Sequence, residues 1–224
     1  MSEAVLPCVE IEPRKRADAA VVWLHGLGAD GHDFEPVVPE LRLPASMAVR
    51  FVFPHAPAIP VSLNYGMVMP AWYDIAGPDL RRTKHDEPGV RKSAARVEAL
   101  IARERERGVA ADRIVLAGFS QGGAIAIHTA LRHRERLAGL VALSTYLVLE
   151  DALDAERSAA NRALPILQCH GTLDPMVPED RGRACRDKLV SLGYAVDWHT
   201  WPMEHQVCGE EIALIGAFLR ERLA

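Results

Sequence analysis

A serine between two glycines is the most distinctive chemical feature of the sequence. Residues 118–122 read Gly-Phe-Ser-Gln-Gly, which matches the pattern G-x-S-x-G with Ser120 at its centre. The apolar run 114–117 precedes the motif and a helix-like run follows it, and a nucleophilic serine requires this strand-turn-helix context. Glycine is needed at both flanking positions because side chains there would collide across the sharp turn. We therefore predict that Ser120 is a nucleophile.

A serine hydroxyl is a weak nucleophile unless a base removes its proton and an acid orients that base. In a protein of this architecture the partners follow in the order serine, acid, histidine. Asp174 follows the apolar run Leu164–His170, and His205 follows the run Ala195–Trp201. The carboxyl ends of neighbouring parallel strands lie at one edge of a sheet. The spacing therefore predicts a catalytic triad of Ser120, Asp174 and His205.

Other acids and histidines are weaker candidates for these roles. Asp151 and Asp154 follow the preceding strand and remain open as alternative acids. His199 lies within an alternating strand pattern, while His128 and His133 lie on the helix that follows the serine. We interpret these three histidines as structural or solvent-facing side chains.

A glycine-rich loop, Leu24 to Gly31, follows the first long apolar run. Its glycines let the backbone approach a substrate closely, as an amide of an oxyanion hole must do. The loop also satisfies G-x-G-x-x-G, but the acidic residue that a dinucleotide ribose needs about 20 positions later is missing. No Walker lysine is present and no second ligand is spaced with His25, so we expect neither a nucleotide nor a metal ion.

Apolar, β-rich runs alternate with longer amphipathic runs, which is typical of a mainly parallel sheet covered by helices. No linker, repeat or break in composition divides the chain, so the sequence predicts one α/β domain over residues 1–224 without a separate cap domain. The predicted strands are Ala20–Leu24, Arg50–Phe53, Arg113–Phe119, Leu137–Ser144, Leu164–His170 and Ala195–Trp201. The predicted helices are Pro88–Arg107, Gln121–Arg134, Glu179–Leu192 and Gly209–Arg220.

The segment from Pro54 to Gly89 interrupts this alternation. It is rich in proline and glycine, and its apolar side chains show no clear period. A loop of that length inside a compact domain is usually functional or disordered. Apolar side chains favour a wall or lid that is folded onto the site. We expect the substrate contacts to come from Leu63, Tyr65, Met67, Val68, Met69 and Trp72.

Composition excludes several classes of function. The chain has 26 basic and 30 acidic residues, a net charge of −4, and 49% hydrophobic residues. This balance excludes disorder and favours neither nucleic acid nor an anionic membrane as a partner. The longest apolar stretch, Leu137 to Leu149, is shorter than the roughly 20 residues of a membrane span. The four scattered cysteines and the absence of a signal-peptide pattern predict a cytoplasmic protein with reduced thiols.

Six motifs in order resemble the phospholipase/carboxylesterase family, which includes bacterial carboxylesterases and eukaryotic acyl-protein thioesterases and has the α/β-hydrolase fold. The motifs are His25–Gly31, Phe53–Pro57, Ala71–Asp74, Gly118–Gly123, His170–Pro178 and His205. The resemblance implies that the oxyanion amides are those of Leu27 and Gln121, and that residues 63–75 form an acyl-binding wall. It implies the same triad as the spacing does.

The activity that follows is cofactor-free hydrolysis of short- to medium-chain carboxylic esters, with a small-molecule ester as substrate. The motif versions at 29–31 and 67–72 look closer to the bacterial esterase branch. An acyl-protein thioesterase or lysophospholipase with the same triad is the alternative, and a non-catalytic small-molecule binder on the same fold is a further one. Gln206, Val207 and Cys208 follow the histidine at positions where the thioesterase branch typically has small hydroxyl residues. A homodimer through the apolar loop is left open.

Overall fold

A central sheet lies behind the residues that the motifs single out. The computed structural model describes residues 5–77 and 86–224, so part of the predicted segment Pro54–Gly89 and the first four residues lie outside it. The strands are β1 Cys8–Ile11, β2 Ala19–Leu24, β3 Val49–Pro54, β4 Ala58–Val61, β5 Met67–Pro70, β6 Ile114–Phe119, β7 Gly139–Leu143, β8 Ile166–Gly171 and β9 Val196–Trp201. Among the described residues, one sheet of seven strands has the order β1-β3-β2-β6-β7-β8-β9.

The prediction of a mainly parallel sheet is confirmed. From β3 across to β9 every neighbouring pair is parallel, and β1 is antiparallel to β3. Strands β2, β3, β7 and β8 are buried at every position, as near-continuous apolar runs should be when helices cover both faces. All six predicted strands are present, with ends that lie within two residues of the prediction. The edge strand β1 was not predicted, because its four half-buried residues give no clear pattern.

Helices cover the sheet on both faces. They are α1 Glu87–Glu106, α2 Gln121–Arg132, α3 Glu150–Glu156, α4 Glu179–Ser191 and α5 Gly209–Arg222, so the ends of the four predicted helices are also correct to within two residues. Successive residues of a strand face opposite sides. Leu116 of β6 accordingly packs in one cluster with Ile125 of α2 and Leu189 of α4. Its neighbour Val115 packs in the opposite cluster with Leu219 of α5.

The segment after β3 is not the plain loop that the sequence predicts. Strands β4 and β5 pair as an antiparallel hairpin, from Ala58 opposite Pro70 to Val61 opposite Met67. A short 3-10 turn joins them, with positive φ angles of 57° at Tyr65 and 78° at Gly66. Each strand of the hairpin contains a proline, which is tolerated only at a sheet edge and weakens the strand signal in the sequence. No separate cap domain is formed by residues 5–77 and 86–224.

No helix among the described residues is long and apolar enough to cross a bilayer. The four cysteines are free, with Cys169 and Cys185 buried and Cys8 and Cys208 half-buried.

Candidate active site

Ser120 occupies the sharp turn between β6 and α2. Its φ of 53° and ψ of −121° lie in a region that residues other than glycine rarely adopt. Three hydrogen bonds hold this backbone. The Ser120 N–H donates to the Leu143 carbonyl over 2.9 Å, and the Ser120 carbonyl accepts from the Ala124 N–H over 3.1 Å. The Thr145 hydroxyl donates to the same carbonyl over 2.6 Å. The turn is therefore fixed from the neighbouring strand β7, from Thr145 just after that strand, and from its own helix.

Close backbone contacts explain the two glycines of the motif. A Cβ atom on Gly118 would lie 2.5 Å from the Gly122 carbonyl oxygen, across the turn. A Cβ atom on Gly122 would lie 2.4 Å from the carbonyl oxygen of His25, at the end of the adjacent strand β2. Both distances are far below van der Waals contact, so the turn can approach the loop after β2 only with glycine at these positions.

Asp174 and His205 are joined by a short hydrogen bond, 2.6 Å between Oδ2 and Nδ1. The other carboxylate oxygen of Asp174 accepts the backbone N–H groups of Met176 over 2.9 Å and Val177 over 2.8 Å. Burial raises the pKa of Asp174, but the hydrogen bonds from His205 and from these amides outweigh it and hold the pKa below its usual value. An ionised Asp174 keeps the proton of His205 on Nδ1, which leaves Nε2 as the basic nitrogen.

The alternative acids lie elsewhere. Asp151 and Asp154 are exposed on α3, and Asp154 pairs with Arg157 over 3.2 Å. The structure thus brings Asp174, and neither of these residues, to His205. His199 lies on β9 with Asp197 2.8 Å away.

A second histidine lies behind Asp174 and was not predicted to take part in the site. His170 is fully buried, and its Nε2–H donates to the Val177 carbonyl over 2.8 Å. The same nitrogen is 3.8 Å from Oδ2 of Asp174. Burial lowers the pKa of His170, so the ring is neutral and holds the Asp174 turn without adding a charge. Its position in a matched motif was the only signal in the sequence.

His25 anchors the glycine-rich loop and is not available as a metal ligand. Its Nδ1–H donates to the Gly26 carbonyl over 2.7 Å, and its Nε2 accepts the Ala56 N–H over 3.1 Å. Burial lowers the pKa of His25, in keeping with a neutral ring that uses both nitrogens. The Gly28 N–H donates to the Pro70 carbonyl over 2.9 Å, so the same loop is tied to the hairpin. The described ranges contain no group of three or more His, Cys, Asp or Glu side chains arranged to hold a metal ion.

One cavity of about 320 Å³ contains Ser120 and His205 on its surface, together with Leu27 and Gln121 of the predicted oxyanion hole. The Phe119 ring packs on the imidazole of His205 with the ring centroids 4.6 Å apart. The rest of the lining is mostly apolar and includes Leu63, Met69, Ile75, Tyr146, Met176 and Val177. A reacting acyl group can therefore lie against an apolar wall while its carbonyl carbon reaches Ser120.

Two of the six predicted substrate contacts, Leu63 and Met69, line this cavity. Three others are corrected: Tyr65, Met67 and Val68 lie near the tip of the hairpin and are mostly exposed to solvent. Their side chains do not line the cavity, because the hairpin projects from the main sheet and its tip is exposed to solvent on both faces.

Trp72 is also corrected, because it is 1% exposed and forms part of the core. Its indole Nε1–H donates to the His25 carbonyl over 2.9 Å, so it supports the glycine-rich loop from behind. Ile75 lines the cavity at the end of the expected wall 63–75, whereas Met176 and Val177 were missed as cavity residues although they lie in a matched motif. Tyr146, which follows β7, carried no such signal.

The chain is similar to known proteins over almost its whole length. The pattern of the Phospholipase/Carboxylesterase family matches residues 7–223. Acyl-protein thioesterase 1 of Neurospora crassa is 42% identical over 93% of this chain and 88% of its own length. Acyl-protein thioesterase 1 of Yarrowia lipolytica is 38% identical over 97% of both chains. The crystal structure of Zea mays acyl-protein thioesterase 2 superposes with a TM-score of 0.86 at 28% identity, covering 97% of this chain and 99% of that one.

Proposed function

This chain belongs to the phospholipase/carboxylesterase family and is a serine hydrolase with the α/β-hydrolase fold, and from that premise we propose that it cleaves thioesters and esters of apolar acyl groups through Ser120, Asp174 and His205. The observation that most supports this assignment is the 2.6 Å hydrogen bond between Asp174 and His205 at a cavity that Ser120 shares.

In the first half of the proposed reaction, Nε2 of His205 removes the proton of the Ser120 hydroxyl as Oγ attacks the acyl carbonyl carbon. Asp174 stabilises the imidazolium that forms, and the amides of Leu27 and Gln121 donate to the oxyanion. His205 then gives its proton to the departing sulfur or oxygen, so a thiol or alcohol leaves and Ser120 carries the acyl group. In the second half, His205 takes a proton from water as the water oxygen attacks the acyl carbonyl carbon. The bond from that carbon to Oγ then breaks, His205 returns the proton to Oγ, and the free acid leaves with the Ser120 hydroxyl restored.

The cavity supports an apolar acyl group as the recognised part of the substrate. Leu63, Met69 and Ile75 line one stretch of it, and Met176 and Val177 line another. Burial of one methylene contributes about 0.8 kcal/mol, which corresponds to a gain of about fourfold in kcat/KM for each carbon that enters the cavity. We expect this gain to continue until the cavity is full, which places the optimum at a medium chain length.

Three substrate classes differ in the leaving group. Relatives named acyl-protein thioesterases, at 38–42% identity, favour a thioester and hence an acylated cysteine or a small thiol. The motif versions in the sequence favour a simple carboxylic ester as the second candidate. Asp33 lines the same cavity. A carboxylate at this position would repel the phosphate of a lysophospholipid, so that alternative is the least favoured of the three.

The test compares an octanoyl thioester with an octanoyl ester whose leaving group has the same size and no charge. We expect both to be hydrolysed, with the thioester at least as fast in kcat/KM, and we expect Ser120→Ala to abolish both reactions. A series from acetyl to palmitoyl on each leaving group then measures the depth of the cavity. Hydrolysis that persists in Ser120→Ala would overturn the assignment, and a preference for the ester throughout the series would favour the carboxylesterase alternative. The cytoplasmic location and the homodimer remain predictions.

A further inference from the structure

The side chain of Gln121 has a role that is separate from its backbone amide. The side chain is 1% exposed. Its Oε1 accepts the backbone N–H of Trp72 over 2.8 Å, and its Nε2 donates to the backbone carbonyl of Tyr73 over 2.8 Å. One primary amide thus binds backbone groups of two successive residues in another segment, while the N–H of the same residue lies beside the nucleophile.

The segment that Gln121 binds leads directly to the cavity wall. Ile75 lines the cavity, and its carbonyl accepts the N–H of Leu63, another wall residue, over 2.7 Å. The indole of Trp72, in turn, donates to the His25 carbonyl at the start of the glycine-rich loop. The acyl wall, the glycine-rich loop and the nucleophile turn therefore meet around one buried amide group.

We propose that the Gln121 side chain is a positioning residue that holds the acyl wall in register with the oxyanion hole, so that it fixes the acyl-chain preference together with the rate of acylation. This inference rests on the proposed function and extends it to a residue whose side chain does not touch the reacting atoms. The requirement is chemical as well as steric. The two peptide groups need one acceptor and one donor, and a buried polar group left without a partner is destabilising.

The variant Gln121→Glu tests this requirement because its two protonation states differ in the donor. The protonated carboxyl can donate to the Tyr73 carbonyl and accept from the Trp72 N–H, as the amide does. The ionised carboxylate offers two acceptors and repels that carbonyl. Burial disfavours the charged form and raises the pKa of such a carboxyl. The variant should therefore resemble the wild type at acid pH and lose the clamp as pH rises.

The readouts are kcat/KM for an acetyl and an octanoyl ester across the pH range. In the wild type the ratio of octanoyl to acetyl kcat/KM should be the same at every pH. In Gln121→Glu both values should fall relative to the wild type on the alkaline side, and the ratio should drop by at least about fivefold there and recover in acid. Gln121→Met, which keeps the volume without the polar atoms, should show the reduced ratio at every pH.

Asn161 supplies a matched control at the opposite edge of the sheet. It is a fully buried amide whose Nδ2 donates to the carbonyls of His133 and Glu135 and whose Oδ1 accepts the Leu137 N–H. Asn161→Asp introduces the same chemistry away from the cavity and should leave the chain-length ratio unchanged wherever the protein is folded. If Gln121→Glu unfolds at high pH, the ratio of octanoyl to acetyl kcat/KM in Gln121→Met is the test instead.

The proposal is overturned if Gln121→Glu and Gln121→Met keep the wild-type ratio at all pH values, or if Asn161→Asp shifts the ratio equally. Either result would leave the proposed function intact as long as hydrolysis still requires Ser120. Hydrolysis that is independent of Ser120 would instead defeat the proposed function itself, so the two failures are distinguishable.

Discussion

Two regions meet at the cavity and are built in different ways. The catalytic edge comprises the loops after β6, β8 and β9, which carry Ser120, Asp174 and His205. The hairpin wall comprises β4, β5 and the segment that follows to residue 77. At the catalytic edge backbone hydrogen bonds hold Ser120 and Asp174, and the Asp174 carboxylate in turn holds the ring of His205. The tip of the hairpin wall, by contrast, presents Tyr65, Met67 and Val68 to solvent.

This difference separates chemistry from selectivity. The reacting groups lie where the parallel strands β6, β8 and β9 end, so their positions follow from the fold and tolerate little change. The wall is an appendage with two short edge strands, and its hold on the site depends on a few bonds such as Gly28 to Pro70 and Gln121 to Trp72. Substitutions at the catalytic edge should therefore affect the rate for every acyl chain, while substitutions in the wall should redistribute rates among chains.

The largest effect is expected from Asp174→Asn. An amide in place of the carboxylate can no longer hold the Nδ1–H tautomer of His205, and kcat should fall by about 10⁴-fold for all acyl chains alike. Steady-state kinetics on acetyl and octanoyl esters measures this. Asp151→Asn, at the exposed alternative acid, is the control and should behave as the wild type. A small decrease of kcat in Asp174→Asn together with a large decrease in Asp151→Asn would show that the acid has been assigned wrongly.

A pair of methionines in one strand tests the wall. Met69 lines the cavity, whereas Met67 is 64% exposed at the hairpin tip. Met69→Ala should lower kcat/KM for the octanoyl ester by about tenfold, since it removes roughly 1–2 kcal/mol of apolar contact, and should leave the acetyl ester almost unchanged. Met67→Ala should change neither ester by more than about twofold. Equal effects of the two substitutions would mean that the substrate also contacts the tip of the hairpin.

Thr145→Val probes the support of the nucleophile turn from β7. The hydroxyl is fully buried and donates to the Ser120 carbonyl. A lost hydrogen bond of about 1 kcal/mol predicts a decrease of about fivefold in kcat for every chain length, with KM unchanged. Thr145→Ser, which keeps the hydroxyl, should restore the rate. A change in chain-length preference instead of rate would place Thr145 with the wall and contradict the division between the two regions.

The smallest effect on activity is expected from Glu211→Gln, in the helix that follows the His205 loop. Glu211 is fully buried, and burial raises its pKa to about 8 although a backbone hydrogen bond with Cys208 acts in the opposite direction. Because the folded state binds this proton more tightly than the unfolded state, stability is greatest below the unfolded pKa and decreases as pH rises toward about 8. The decrease is about 1.4 kcal/mol for each pH unit in that range.

Urea unfolding of the wild type and Glu211→Gln at about pH 5 and about pH 8 measures the decrease. The variant should lack most of the loss between the two pH values and should retain normal kcat for both esters. Parallel pH dependence in the two proteins would show that the carboxyl finds a partner or remains accessible to water.

The contrast between the regions also explains what could be predicted from the sequence. Ser120 and Asp174 follow the buried strands β6 and β8, which are recognisable because most of their residues are apolar. His205 follows the half-buried edge strand β9, which is recognisable by its alternating pattern. Once the strands and their parallel order are known, the topology brings the three loops together. The hairpin wall has no comparable sequence pattern. Leu63 and Met69 face the cavity while Tyr65 and Met67 do not, and this choice depends on the register of a proline-containing hairpin and on a turn at residues 62–66 that the sequence does not signal.

Contacts that join distant segments were likewise invisible in the sequence. The Gln121 side chain could be recognised as part of a motif, but its bonds to Trp72 and Tyr73 depend on how the segment after β5 folds. Trp72 was predicted as a substrate contact because it is large and apolar, and those same properties make it a core residue here. His170, which supports Asp174, differs from a surface histidine only in its surroundings.

The central claim is that Ser120, activated by His205, forms a covalent acyl-enzyme, and labelling with a fluorophosphonate tests it most directly. Intact-mass and peptide mass spectrometry should show one adduct, located on Ser120, that forms in step with the loss of octanoyl ester hydrolysis. His205→Ala should react much more slowly, and Ser120→Ala should remain unlabelled. An adduct on another residue, or full hydrolysis by protein that is completely labelled on Ser120, would contradict the claim.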